Sequence, residues 1–159
     1  MKKIQKFGLW SALALLALTG GTAFAHVNIH GDAFHNFNAR EEVDIDYLGI
    51  GVRNLSTASQ RFVVAAVPYI QSTSPNATVT FRIDGKNATG TTTGFTLSAY
   101  ESGLLRSSVS FTTGPGAGQV GAYTTDQVLT NLNQFCRVSL LALLPANSSS
   151  VIYGVTQIQ

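Results

Sequence analysis

The chain has 159 residues, of which 45% are hydrophobic and 11% are charged, and its formal net charge is +2. That length suits one domain with an ordinary core, and a single cysteine excludes an internal disulfide. Basic residues form no cluster outside the N-terminus. This argues against nucleic acid as a partner, because such binding depends on many Lys and Arg contacts with phosphate.

The N-terminus has the pattern of a secretory signal peptide. Three lysines precede an apolar run over residues 7–18, and Ala23-Phe24-Ala25 then forms a small-x-small cleavage pattern. We therefore expect cleavage after Ala25 and a secreted or periplasmic mature domain over residues 26–159. That domain has seven basic and eight acidic residues, and it contains no further apolar run of the roughly 18 residues that span a bilayer.

All three histidines, His26, His30 and His35, lie within the first ten mature residues, close to Asp32. After cleavage His26 also carries a free α-amine, which chelates copper together with its imidazole. Because imidazole ligands suit Cu and Zn, the segment predicts a Cu or Zn site built from these four residues. The alternative interpretation is that they are ordinary polar residues on an exposed N-terminal strand and loop.

With His26 at the start of its mature chain, the sequence resembles lytic polysaccharide monooxygenases and some periplasmic copper carriers, which also begin with His on a β-sandwich. The resemblance implies a copper ion bound at His26. The monooxygenases close their copper brace with a second His far along the chain, and this sequence has no His after His35. The resemblance covers one residue and assigns no family.

Five of the eight mature acids follow closely along the chain: Asp32, Glu41, Glu42, Asp44 and Asp46. Residues 42–47 alternate between acidic and apolar, which predicts a strand with three carboxylates on one face. We expect these carboxylates to pair with Arg53, Arg61 or Arg82 on neighbouring strands rather than to bind Ca²⁺.

Ser, Thr and Asn supply 37 of the 134 mature residues, and because their side chains compete for backbone hydrogen bonds, they disfavour long helices. Alternating or continuous apolar runs predict strands instead. These runs are 43–47, 62–67, 79–83, 95–99, 105–111, 138–144 and 151–158. Glu101-Ser102-Gly103 predicts a hairpin between two of them. The continuous stretches 62–67 and 138–144 predict strands that are buried on both faces or central in a sheet.

We expect eight or nine strands and at most one short helix, over residues 126–134, where Val128, Leu129 and Leu132 have helical spacing. Antiparallel strands joined by short turns favour an all-β, single-domain antiparallel β-sandwich of jelly-roll or Ig-like type over a barrel. The final run, 151–158, carries no charge, which suggests an exposed sheet edge available for self-assembly.

Catalytic motifs are absent from the sequence. It lacks G-x-S-x-G, S-x-x-K and H-E-x-x-H, and a G-x-G-x-x-G match at residues 116–121 is followed by neither a convincing helix nor an acid at the required spacing. The sequence therefore argues against enzyme activity. Cys136 alternates with apolar residues of the 138–144 run, which predicts a buried thiol.

Three tyrosines, Tyr69, Tyr100 and Tyr123, lie off the core pattern or next to turns and are candidates for a stacking surface. Core or rim packing is the alternative for each. Two functional hypotheses follow. The first is an exported, non-catalytic β-sandwich that binds a glycan or a protein partner at the cell surface or outside the cell. The second is a periplasmic Cu- or Zn-binding protein that uses the N-terminal His cluster.

Overall fold

The computed structural model of the protein describes residues 27–69, 74–113, 122–146 and 150–158. The predicted signal peptide, His26 and the Gly-rich match at 116–121 lie outside the described residues. Within the described ranges no helix has both the length and the apolar character needed to cross a membrane.

The described residues form eleven β-strands and two short 3₁₀ helices. The strands are β1 (Val27–His30), β2 (His35–Asn36), β3 (Ile45–Leu48), β4 (Gly51–Asn54), β5 (Arg61–Val67), β6 (Ala77–Lys86), β7 (Thr93–Glu101), β8 (Leu104–Thr113), β9 (Ala122–Leu132), β10 (Arg137–Leu144) and β11 (Val151–Ile158). The 3₁₀ helices are Gly31–Ala33 and Ala39–Asp44. Strands beyond the predicted eight or nine arise from two- to four-residue segments such as β1 and β2, which are too short to show a clear period.

The strands pair into two antiparallel sheets. One has the order β3-β4-β11-β6-β9, with β1 pairing along the second half of β11, and the other has the order β2-β5-β10-β7-β8. Alternate side chains from both sheets point inward and form one core. The largest fully buried members include Phe34, Phe81, Ile83, Leu97, Leu129, Leu140 and Ile152. The predicted all-β antiparallel sandwich is confirmed.

Two local predictions are also confirmed. β7 and β8 form the expected hairpin, whose turn places Ser102 and Gly103 at positive φ values of 50° and 81°. Cys136 is 3% exposed, joins the core, and remains a free thiol.

The predicted helix over 126–134 is wrong, because this stretch continues β9 as far as Leu132. The spacing that looked helical has a local cause. Leu129 pairs with Val79 and Leu132 pairs with Ala77, so three steps on β9 match two steps on β6. Asn131, at φ 59°, lies in this bulge. A bulge places residues i and i+3 on the same face, which is also what a helix does.

The predicted acidic strand is only partly right. Residues 39–44 form a 3₁₀ helix whose first turn is capped by the Asn38 side chain, and β3 begins at Ile45. The expected ion pairs are nevertheless present. Asp44 binds Arg61 at 2.5 Å and Asp46 binds Arg53 at 2.6 Å, whereas Arg82 pairs with Asp126. Such partly exposed pairs each contribute about 0.2–1 kcal/mol.

The prediction that 151–158 forms an exposed edge is wrong. β11 lies inside the six-stranded sheet, with β6 on one side and β4 and β1 on the other. Val151, Ile152 and Val155 are buried. The absence of charge is consistent with this interior position, since most of its side chains are buried. Its backbone groups pair with neighbouring strands on both sides.

Candidate functional site

The outer side of the five-stranded sheet carries several apolar side chains that are exposed or half-buried. The apolar runs 62–67 and 138–144, predicted to be buried on both faces or central in a sheet, form β5 and β10, which are neighbours inside this sheet. Their inward residues are buried, but Phe62 is 41% exposed and Leu141 and Leu143 are half-buried. Of the two predicted alternatives, a central position in a sheet is therefore confirmed, and burial on both faces is wrong. The outward apolar side chains form a surface, which we call the five-strand face.

Strand register places the residues of the five-strand face in rows, because directly paired residues point to the same side of a sheet. One row contains Phe62, Leu143, Gly94 and Thr112. The next row contains His35, Val64, Leu141, Thr96 and Ser110. Both rows have apolar side chains on β5 and β10 and a hydroxyl-bearing side chain on β8, whereas the β7 position is Gly94 in the first row and Thr96 in the second.

Two aromatic rings border the apolar end of these rows. Phe37 follows β2, and its backbone N–H donates to the carbonyl of Phe62 at 3.0 Å. This bond brings the two ring centroids to 6.2 Å at an interplanar angle of 59°. Phe37 is 65% exposed. Both rings thus present apolar surface to solvent although neither belongs to the core.

Hydroxyl pairs border the opposite end. Thr96 and Ser110 hydrogen-bond at 3.0 Å, and Ser98 and Ser108 do so at 2.9 Å. Because a hydroxyl is both a donor and an acceptor, Thr96 and Ser110 keep spare hydrogen-bonding capacity for a ligand. Ser98 is only 5% exposed, and Ser108 also donates to the Leu97 carbonyl at 3.3 Å.

A hollow of about 470 Å³ lies between the two ends and is open to solvent. It is lined by Phe62, Gly94, Phe95, Thr96, Ser110, Phe111, Thr112, Leu141 and Leu143. The hollow exists because Gly94 has no side chain at a position where its row neighbours have one. A Cβ built at Gly94 would meet only the Leu143 Cβ, at 3.7 Å, so larger residues fit there. We call this feature the Gly94 hollow.

Charge is scarce around the Gly94 hollow. Neither of the two rows contains an Asp, Glu, Lys or Arg, and His35 is their one titratable side chain. The surface is thus suited to an uncharged ligand with both apolar and hydroxyl groups.

The structure does not bring the three predicted stacking tyrosines together. Tyr100 lies on the five-strand face, 39% exposed, at the end that carries Arg137 and Leu105. Tyr69 follows β5 and packs half-buried against the core. Tyr123 faces the other sheet, with the edge of its ring on Phe95 at 6.2 Å between centroids.

Tyr123 reaches across the sandwich interior because its partner on β6 is Gly85. A Cβ added to Gly85 would overlap the Tyr123 hydroxyl. That hydroxyl is buried and has no well-formed hydrogen bond to the described residues. Burial raises the pKa of Tyr123 well above its usual value, and the Asp84 carboxylate adds to the rise, while Thr93 acts in the opposite direction.

Tyr123→Phe should stabilise the protein by about 1 kcal/mol at neutral pH, since it removes a buried hydroxyl that lacks a partner. Above pH 10 the unfolded state ionises while the folded state keeps its proton. The wild-type protein should therefore lose stability with rising pH, by at most about 1.4 kcal/mol per pH unit from this group. Urea unfolding at pH 7 to 11 checks this, with Tyr100→Phe as a control for losing a hydroxyl. Equal alkaline slopes for wild type and Tyr123→Phe would contradict it.

The structure separates His30 and His35. His30 ends β1 in the six-stranded sheet, and His35 begins β2 in the five-stranded sheet. Their neighbours Ile29 and Phe34 point into the core, so both imidazoles are exposed, on opposite outer faces. The Asp32 side chain and His26 are not among the described parts. Over the described residues no group of three or more His, Cys, Asp or Glu side chains could hold a metal ion.

The amino-acid sequence contains only an indirect signal for the Gly94 hollow. Apolar residues at both parities in 62–67 and 138–144 indicated more apolar surface than one core face uses. Nothing local marked Gly94, Thr96 or Ser110 as neighbours of those runs. Their proximity depends on β10 pairing with both β5 and β7.

Comparison with known proteins identifies a fold and no sequence family. No protein-family model matches the sequence, and a search of curated proteins finds no match. A family 35 carbohydrate binding module from Clostridium thermocellum is similar in structure, with a TM-score of 0.52 and 12% identity over 85% of this chain and 98% of that one. At this identity the likeness shows a shared β-sandwich fold.

Two larger enzymes contain similar regions. One is an exo-beta-1,3-galactanase from Phanerochaete chrysosporium, with a TM-score of 0.48 and 12% identity over 84% of this chain and 29% of that one. The other is an isomalto-dextranase from Arthrobacter globiformis, with a TM-score of 0.49 and 18% identity over 83% of this chain and 23% of that one.

Proposed function

We propose that this protein is an exported, non-catalytic glycan-binding β-sandwich that holds a neutral polysaccharide on the five-strand face. The observation that carries the proposal is the Gly94 hollow, with exposed Phe62 at its apolar end and the hydroxyls of Thr96 and Ser110 at the other. A sugar ring has an apolar C–H face and a rim of hydroxyls. The hollow offers a matching partner to each.

Exposure of the apolar groups supports a binding role. Soluble proteins rarely leave a contiguous apolar patch open, and those that do commonly use it for an interaction. Export is supported by the N-terminal signal pattern, and the sandwich fold is shared with a carbohydrate binding module. The lining of the hollow includes no Asp or Glu. Because glycosidic hydrolysis ordinarily uses two carboxylates, we propose binding at this surface rather than cleavage.

Phe62→Ala should weaken polysaccharide binding about 10-fold or more, since a single aromatic anchor often contributes much of the affinity of a binding surface. An array of neutral and acidic polysaccharides would identify the ligand. Affinity electrophoresis or calorimetry with that ligand would then compare the variants. Thermal unfolding would confirm that Phe62→Ala remains folded.

Phe135→Ala is the matched control. Phe135 is 65% exposed and precedes β10. The first residue of β10, Arg137, lies about 20 Å from Leu143 at the rise per strand residue, and Phe135 precedes Arg137, so its loss should leave binding unchanged. The proposal fails if no polysaccharide binds, if only acidic ones do, or if the two Phe variants bind equally well. If Phe62→Ala but not Phe135→Ala abolishes capture of a protein partner, the five-strand face binds a protein rather than a glycan.

A further inference from the structure

A second pocket lies on the opposite side of the molecule, on the outer face of the six-stranded sheet. Its volume is about 440 Å³, and it is lined by His30, Gly49, Ile50, Asp84, Tyr153 and Gly154. It shares no residue with the Gly94 hollow. We call it the Gly154 pocket.

Strand register builds the floor and two walls of this pocket. Gly154 of β11 pairs with His30 of β1 on one side and with Asp84 of β6 on the other. Adjacent strands lie about 4.8 Å apart, so the imidazole and the carboxylate rise on either side of Gly154 from Cα atoms about 10 Å apart. A side chain at position 154 would occupy the space between them. The glycine leaves a floor of bare backbone.

A β-bulge supplies the third wall. The register between β11 and β6 shifts between Ile152 and Gly154, which leaves Tyr153 as the extra residue. Because a bulge redirects the side chain it contains, Tyr153 lines the pocket on the outer face. The preceding residue, Ile152, points inward and is fully buried.

The turn between β3 and β4 supplies the remaining wall through Gly49 and Ile50. This turn is held next to His30 by close backbone packing. A Cβ added to Gly31 would overlap the Cα of Gly51 and the carbonyl oxygen of Ile152. Ile50 is 66% exposed and adds an apolar rim.

Three hydrogen-bonding groups around the pocket retain open capacity. One oxygen of Asp84 accepts a hydrogen bond from the Thr124 hydroxyl at 2.8 Å, which orients the carboxylate. The other oxygen accepts no hydrogen bond from the described residues. The side chains of His30 and Tyr153 form no hydrogen bond within the described part of the chain. Arg82, the outward neighbour of Asp84 on β6, is engaged by Asp126 at 2.8 Å.

We propose that the Gly154 pocket binds a single neutral sugar unit or a similarly compact polyhydroxylated ring. The open carboxylate oxygen of Asp84 accepts hydrogen bonds from ring hydroxyls, and charge-assisted bonds of this kind are strong. The His30 imidazole donates or accepts. Tyr153 and Ile50 cover the apolar C–H face, while the two glycines let the ring approach the backbone. A metal ion fits less well, because His30 and Asp84 are two ligands and metal sites usually use three or four.

Protein NMR titration with D-glucose, D-galactose and D-mannose tests this proposal on the wild-type chain. We expect at least one sugar to shift the amide signals of His30, Asp84 and Gly154 in a saturable way at millimolar concentration. Asp84→Asn should weaken that binding about 10-fold, since the amide loses the charge that strengthens these bonds. Glu101→Gln is the control, because Glu101 ends β7 in the other sheet, where it pairs with Arg106, and its loss should leave sugar binding unchanged.

Three results would overturn the proposal: no shift with any of the three sugars, shifts confined to the Gly94 hollow, or equal affinity of the Asp84→Asn and wild-type proteins. Thermal unfolding of Asp84→Asn shows whether that variant is folded, and Tyr153→Phe offers a second, milder change that should also weaken binding. The pocket does not depend on the function proposed for the five-strand face. Gly94→Val should leave the response at the Gly154 pocket intact, so failure of one site is distinguishable from failure of the other.

Discussion

Gly94→Val should weaken polysaccharide binding about 10-fold or more while the protein stays folded. The valine side chain would occupy the floor of the Gly94 hollow between Leu143 and Thr112. Space for its Cβ exists, since the one contact is with the Leu143 Cβ at 3.7 Å. Valine also suits a strand better than glycine does, so the free energy of unfolding should rise by about 0.5–1 kcal/mol. Calorimetry with the polysaccharide ligand and urea unfolding measure the two effects.

The control for Gly94→Val is Ala66→Val. Ala66 is exposed on the five-strand face, pairs with Ser139, and lies outside the lining of the hollow. It therefore receives added bulk on the same surface without filling the hollow, and its binding should match that of wild type. Undiminished binding by Gly94→Val would remove the hollow from the binding site, and equal loss in both variants would point to the surface as a whole.

Gly31→Ala should destabilise the fold by about 3 kcal/mol, which is at the upper end of the usual cost of overpacking. The added methyl group would overlap the carbonyl oxygen of Ile152 and two backbone atoms of Gly51. Backbone atoms cannot move aside as a flexible side chain can. The backbone of β4 and β11 would therefore have to move away from residue 31. Typical domains are stable by about 5–15 kcal/mol, and a shift of this size is readily measured by urea unfolding.

Gly49→Ala is the control for Gly31→Ala. A Cβ at Gly49 would meet no atom within 4 Å, so its effect on unfolding should stay within about 0.5 kcal/mol. Similar stability of the two alanine variants would mean that Gly31 is not packed against β4 and β11. It would also remove the contact that sets the Gly49-Ile50 turn beside His30.

Local sequence was sufficient for the properties that depend on neighbours along the chain. Alternation at 95–99 and 105–111 predicted the β7–β8 hairpin, and Glu101-Ser102-Gly103 predicted its turn, because side-chain direction in a strand repeats every two residues whatever lies opposite. The burial of Cys136 followed from the same parity. Asp44 and Asp46 form ion pairs with two of the predicted arginines, Arg61 and Arg53, although the predicted strand begins as a 3₁₀ helix.

Whether a face with a given pattern is buried or exposed depends on how the strands pair in the tertiary structure. Period-2 alternation shows which residues share a face, but not whether a neighbouring strand or solvent covers it. The uncharged run 151–158 therefore became the centre of a sheet, and the apolar runs 62–67 and 138–144 became a half-open surface. The spacing of Leu129 and Leu132 came from a bulge.

Local patterns along the chain specify β-strands and which residues of each strand share a face, since both depend on neighbours a few residues apart. Only the tertiary structure separated His30 from His35, joined His30 to Asp84 across Gly154, and set Gly94 between Leu143 and Thr112. Those neighbours are distant in sequence. Their contact is specified by which strand edges pair, a choice made by the whole core at once and by no single segment.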